Sequence, residues 1–155
     1  MKAYLVQHGK QVSKEENPER PLSDRGRADV GKVAAALTRI GIGIQEIVHS
    51  GKTRAEQTAE IMAAELKPAT PPRRMEGLSP LDDVHPIAED LKERDKDIML
   101  VGHLPHLGKL VALLTAGTDS TPVVTFQQGG VVCLQRDEKG VWTVAWMLVP
   151  AIISP

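Results

Sequence analysis

Aromatic side chains are scarce in this chain. One Phe, one Tyr and two Trp make up 3% of the 155 residues, so the core must be aliphatic. The single cysteine, Cys133, excludes an internal disulfide and a cysteine-rich metal site. It sits in an apolar run, where a thiol behaves as a small hydrophobe rather than a nucleophile. No apolar run approaches the ~20 residues that a membrane-spanning helix needs. Neither sign of charge dominates: 19 Lys and Arg face 20 Asp and Glu, a formal net charge of −1. That balance leaves no nucleic-acid or membrane-surface footprint. No charged, apolar and small-residue signal pattern leads the chain, so a soluble cytoplasmic protein is the expectation. There is also no internal repeat, low-complexity tract or interdomain linker. Residues 1–155 read as one domain, long enough to bury ~70% of the surface its unfolded chain exposes.

What is present is alternation of strand and helix. Residues 2–7 form a short apolar run that reads as a buried strand. Residues 8–22 are polar, with Pro18 and Pro21, and read as a loop. Ser23 is placed to cap a helix whose apolar positions are Ala28, Val30, Val33, Ala34, Leu37 and Ile40, ended by Gly41 or Gly43. Residues 44–49 read as a second strand. Ala55, Thr58, Ala59, Met62 and Leu66 follow at helical spacing, closed by Pro68. The stretch 68–81, with Pro68, Pro71, Pro72 and Pro80, reads as loop with one short strand. Asp82 or Asp83 suits the cap of a third helix with the face Val84, Ile87, Ala88 and Leu91.

Residues 97–102 give the strongest buried strand. Pro105 suits the first turn of the next helix, whose face is Leu107, Leu110, Val111 and Leu114, with Gly117 past its end. Residues 123–126, 131–134 and 141–148 read as strands, the last two joined by the hairpin signal Asp137-Glu138-Lys139-Gly140. The expected fold is α/β, three layers α/β/α, with a mainly parallel sheet and antiparallel additions.

Three strands end on residues able to do chemistry. His8 follows the first strand, Arg54 lies just past the second at a helix start, and His103 follows the third. Gly9 lets the backbone turn after His8 without a Cβ. Ligand sites of open α/β sheets lie outside the carboxyl ends of the strands. Exposed N–H groups and the helix dipole beside Arg54 favour an anion, and a guanidinium adds a planar fork for phosphate oxygens. A neutral imidazole attacks phosphorus in line, while cations neutralise the equatorial oxygens. Composition and spacing by themselves lead to an α/β protein with an anion site.

Four segments resemble the signatures of the histidine phosphatase, or phosphoglycerate-mutase-like, superfamily. Gln7-His8-Gly9 is similar to its Arg-His-Gly signature. Arg20-Pro21-Leu22-Ser23-Asp24-Arg25-Gly26 is similar to its Pro-Leu-(Ser/Thr)-x-x-Gly segment. Ser50 through Arg54-Ala55-Glu56-Gln57-Thr58-Ala59 resembles Ser-Pro-x-x-Arg-Ala-x-Gln-Thr-Ala, and Val101-Gly102-His103-Leu104-Pro105 resembles Val-(Gly/Ser)-His-x-Pro. They occur in the family's order over residues 1 to about 110. Gln128-Gly129-Gly130 is similar to a glycine-containing segment near the family's end. The short chain points to the small bacterial phosphohistidine phosphatases of the SixA type.

The resemblance implies a phosphoglycerate-mutase-like fold and roles residue by residue. His8 is the implied nucleophile, phosphorylated on its ring and then hydrolysed by water. Arg54 and His103 are the implied catalytic partners that bind the phosphoryl oxygens. Gln7, Gly9 and Arg20 border the phosphate site. No metal and no organic cofactor is implied. The implied partner is a phosphohistidine-bearing protein such as a phosphotransfer domain, with phosphate or another oxyanion in the pocket. Two other readings stay open: a phosphatase or mutase acting on a small phosphate ester, and a catalytically weak phosphate-binding regulatory protein.

That last reading comes from a departure. Gln7 replaces the first arginine of the signature, and a neutral hydrogen bond is roughly half as strong as a charge-assisted one. Gly51-Lys52-Thr53 replaces Pro-x-x, and Lys52 either restores charge or faces solvent. Glu76, Asp82 and Asp83 are the candidates for a general acid, with helix capping the simpler reading of the two aspartates. His106 is a candidate for the pocket rim. A zinc site from His8, His103 and His106 lacks a fourth ligand at suitable spacing. His49 reads as a strand-end packing residue, His85 as solvated, and Trp142 and Trp146 as core or edge packing.

Overall fold

The sheet is built on Ile98–Gly102, which is buried along its whole length, as a strand covered on both faces by helices must be. The computed structural model describes residues 1–154. Its strands are β1 (Lys2–Gln7), β2 (Glu46–His49), β3 (Arg73–Arg74), β4 (Ile98–Gly102), β5 (Val131–Arg136) and β6 (Trp142–Leu148). Its α-helices are α1 (Asp24–Arg39), α2 (Thr53–Leu66), α3 (His85–Glu93) and α4 (His106–Ala116), and a 3₁₀ turn covers Pro150–Ile152. The six strands form one sheet in the order β3-β2-β4-β1-β5-β6. β4 pairs in parallel with β1 and β2, and β2 in parallel with β3, while β5 runs antiparallel to β1 and β6 antiparallel to β5. This is the three-layer, mainly parallel α/β fold with antiparallel additions that the sequence indicated.

Successive strand residues face opposite helix layers. Ala3 and Leu5 of β1, with Ile98 and Leu100 of β4 and Val132 and Leu134 of β5, pack with Ile87, Leu91, Leu107 and Leu110 of α3 and α4. Tyr4, Val6, Met99, Val101, Val131 and Cys133 pack with Val30, Val33 and Leu37 of α1 and Ala55, Ala59 and Met62 of α2. The core is aliphatic, with Cys133 buried inside it.

The helix ends follow their local chemistry. Ser23 caps α1, its hydroxyl accepting from the Gly26 N–H at 3.0 Å. Gly117 ends α4 in the left-handed conformation. Asp83 Oδ1 accepts from the His85 N–H at 3.0 Å, but the N-cap of α3 is Val84 and makes no side-chain cap bond, so neither Asp82 nor Asp83 stands at the cap position. The turn 137–140 closes as expected, with the Asp137 carboxylate accepting from the N–H groups of Lys139 and Val141.

Several expectations need correction. Residues 123–126 are not a strand. The segment follows Pro122, which cannot donate to a ladder. It runs over the α3/α4 side instead, where Val124 and the buried Phe126 join the core cluster. Ala28 and Ile40 lie outside the buried stripe of α1, and Ile40 is 63% exposed. The second strand begins at Glu46, not at residue 44. Gly9 is required by close packing, not by a special turn: a Cβ there would lie 2.7 Å from Val30 Cγ2 and 3.0 Å from the Gly26 carbonyl oxygen.

Candidate active site

The strand order brings the sequence-predicted residues together. β4 lies between β1 and β2, so the tips of the first, second and third long strands are neighbours. Gln7 is registered opposite Gly102, and His49 opposite Val101. The His8 N–H donates to the Gly102 carbonyl at 3.1 Å, which sets His8 beside His103. Their rings lie 5.0 Å apart between centroids, tilted by 52°.

Both imidazoles are almost fully covered, at 6% exposure for His8 and 1% for His103. His8 Nδ1 lies 2.7 Å from the Gly9 carbonyl oxygen. A carbonyl only accepts, so the proton sits on Nδ1 and the lone pair on Nε2. Burial holds His8 at about 4, with the positive charges of Arg54 and Arg20 pushing the same way and the Gly9 hydrogen bond opposing them. His103 is pushed down to about 3 by burial first, then by His8, Arg54, Lys52 and His106. Both rings are therefore neutral near pH 7. His103 Nε2 is 2.6 Å from Ser50 Oγ, and that hydroxyl also accepts from the Lys52 N–H at 3.3 Å.

Two guanidiniums complete the constellation. Burial lowers the Arg54 pKa, and the Arg20 charge lowers it further, so the two cations are close enough to repel. Among the described residues neither has a carboxylate partner. Arg20 Nε, Arg54 Nε and His103 Nδ1 are buried without a hydrogen-bond partner. Such groups normally find partners inside a protein. Nitrogens that carry or can carry N–H, two of them on cations, have the chemistry to hold an oxyanion. Arg20 also adopts a left-handed backbone with φ 50°, which is rare for a residue with a Cβ. Gln7 Oε1 is buried without a donor. The amide's N–H₂ end is the one able to meet an oxyanion. Lys52 is exposed at the N-cap of α2, with its charge acting on His103.

Residues whose roles the sequence did not reveal hold this arrangement in place. Thr58 Oγ1 accepts from the Gly9 N–H at 3.0 Å and donates to the Arg54 carbonyl at 2.8 Å. Gln57 Oε1 accepts from the Leu22 N–H at 2.8 Å and so ties the Arg20-Pro21-Leu22 segment to α2. The Gly129 N–H, at φ 77°, donates to the carbonyls of both Gln7 (2.9 Å) and His8 (3.1 Å). Their only signal in the sequence was membership of the motifs.

The remaining candidates do local work. Glu76 pairs with Arg74 at 3.1 Å, Asp82 Oδ2 accepts from the Ser79 N–H at 2.9 Å, and Asp83 bonds His85 Nδ1 at 2.7 Å. His106 is not at a rim; it is fully buried on the first turn of α4. His49 Nδ1 accepts from the Gly51 N–H at 3.1 Å, which fits its reading as a strand-end residue. Among the described residues no group of three or more His, Cys, Asp or Glu is arranged to hold a metal ion. No described helix is long and apolar enough to cross a membrane.

Comparison with known proteins agrees with this geometry. The family model of the histidine phosphatase superfamily (branch 1) matches residues 3–83. An uncharacterized protein of Picosynechococcus sp. strain PCC 7002 is 33% identical over 125 residues, covering 76% of this chain and 74% of that one. The phosphohistidine phosphatase SixA of Escherichia coli K12 is 27% identical over 155 residues, covering 97% of this chain and 94% of its own. A solved structure of the protein histidine phosphatase SixA complexed with tungstate superposes with a TM-score of 0.89 at 26% identity, covering 99% of this chain and 100% of that one. An Entamoeba histolytica phosphoserine phosphatase in complex with 3-phosphoglyceric acid shares the fold, with a TM-score of 0.70 at 16% identity, over 94% of this chain and 95% of its own. On the matched family model and the shared fold, this chain belongs to the histidine phosphatase superfamily, is SixA-like, and is a phosphatase by class.

Proposed function

We propose that the protein hydrolyses phosphohistidine carried on another protein, through a covalent phosphohistidine on its own His8. The observation that carries this reading is the meeting of two neutral, buried imidazoles with two guanidiniums that lack carboxylate partners. The preference for a phosphohistidine substrate rests on the likeness to SixA along nearly the whole chain.

In the first step the Nε2 lone pair of His8 attacks phosphorus and the P–N bond of the substrate breaks. The substrate imidazole, protonated on its other ring nitrogen, takes the bonding pair onto the departing nitrogen and leaves neutral. That leaving group is readily expelled once protonated, so the step does not depend on a strong dedicated acid. In the second step water attacks the phosphorus of phosphorylated His8. The Nε2–P bond breaks, and inorganic phosphate leaves. Arg54 and His103 hold the equatorial oxygens, with Arg20, Gln7 and the backbone at Gly9 bordering the site. Ser50 positions His103 through its 2.6 Å contact with Nε2.

The test is a comparison of substrates. The protein is incubated with a histidine-phosphorylated phosphotransfer domain and with simple phosphate esters, and the assay is repeated with His8→Ala. Release of phosphate from the phosphohistidine protein, lost in the variant, is expected. Turnover confined to esters would instead support a small-ester phosphatase. Binding of phosphate with no turnover on either would support a recognition protein.

A further inference from the structure

A groove of about 400 Å³ lies between the start of α4 and residues 119–126. Both of its walls are joined through the backbone to segments of the candidate active site. On one side Leu104 and Pro105 follow His103 directly. On the other, Phe126 lies three residues before Gly129, whose N–H bonds the Gln7 and His8 carbonyls. The lining is mostly apolar. Leu104 is 41% exposed and Val123 42% exposed, while Phe126 is 7% exposed. Lys109 and Asp119 also line the groove and contribute one charge of each sign, so it offers no net charge to an acidic or basic partner. A concave, mostly apolar groove of this size has the form of a binding pocket.

We infer that this groove receives an aliphatic side chain flanking the phosphohistidine of the protein substrate. The inference rests on the function proposed above and adds what selects the carrier protein. A phosphoryl group held between His8 and His103 brings its carrier's neighbouring residues over Leu104. An apolar residue there leaves water, and a polar one does not. A phosphohistidine with no flanking residues cannot use the groove.

The experiment measures steady-state kinetics on free phosphohistidine and on two phosphohistidine peptides, one flanked by leucines and one by serines. For the unaltered protein KM is expected to be about fivefold lower for the leucine peptide, as follows when ~40 Å² of apolar surface leaves water. Its kcat should be the same for both. Val123→Asp should abolish that preference, Val123→Ile should keep it, and both should hydrolyse free phosphohistidine at the unaltered rate, which also shows that they are folded. Equal KM values for the two peptides, or a preference that survives Val123→Asp, overturns the inference alone. So does a dimer, seen by sedimentation, that Val123→Asp dissociates without changing peptide KM; the face would then join two copies of this chain. If the unaltered protein hydrolyses none of the three, the proposed function fails, and this inference with it.

Discussion

At the tip of β1 burial does more than any neighbouring charge to hold His8 neutral, near a pKa of about 4 against an ordinary 6.5. The active form is the neutral ring, and it is lost only when pH falls through the folded value. The acid limb of kcat/KM is therefore expected below pH 5, and a limb near pH 6.5 would contradict a buried nucleophile. Gln7→Arg restores a cation where the family signature has one. It should tighten inorganic phosphate binding by roughly tenfold, since a charge-assisted bond replaces a neutral one. Unchanged or weaker binding in a calorimetric titration would remove Gln7 from the phosphate site. His8, Arg54 and His103 were legible in the sequence because each sits where a strand pattern stops. The choice of Nε2 was not, since it depends on a carbonyl that the backbone folds back over the ring. Nor was the left-handed backbone of Arg20, which only the packing around it reveals.

Between elements the site depends on contacts that tolerate no extra atom. Gly26, in the first turn of α1, packs against the backbone of Lys10. A Cβ at Gly26 would lie 2.1 Å from the Lys10 carbonyl oxygen. Neither atom belongs to a flexible side-chain end, so Gly26→Ala must move the chain just after His8-Gly9. We expect about 2–4 kcal/mol of lost stability in urea unfolding, with kcat lowered as well. Near-unchanged stability would show that the loop after β1 gives way freely. Thr58→Val leaves the buried Gly9 N–H without its acceptor. It should cost about 1–3 kcal/mol, checked by the same unfolding measurement. The helices and long strands could be read from periodicity. Residues 123–126 could not, because β-branched residues beside a proline look alike whether they join a sheet or cover a helix layer.

For the molecule as a whole, four of the five histidines tie stability to pH in one direction. His8, His49, His103 and His106 all lie below their ordinary range, chiefly through burial. Below pH 6.5 the unfolded chain takes up protons that the folded chain refuses, so stability falls on acidification from about 6.5 toward 4. Glu46, held down by Arg94 and Arg73 against the effect of burial, adds a loss of the same sign at lower pH. His85 is raised by Asp83 and opposes them, but from a fully exposed position. Stability should drop by roughly 1 kcal/mol or more per pH unit in this window. A urea midpoint that stays level between pH 7 and pH 5 would contradict it.

The topology that buries these rings also sets three strand tips side by side, and the central claim is that His8 there accepts the phosphoryl group. The most direct measurement is rapid quenching with a histidine-phosphorylated protein as donor, followed by mass spectrometry of the His8 peptide. We predict phosphate on His8 that is labile in acid and stable in base, and none on the His8→Ala variant. Turnover of that donor without phosphate ever appearing on His8, or undiminished turnover in His8→Ala, would contradict the account.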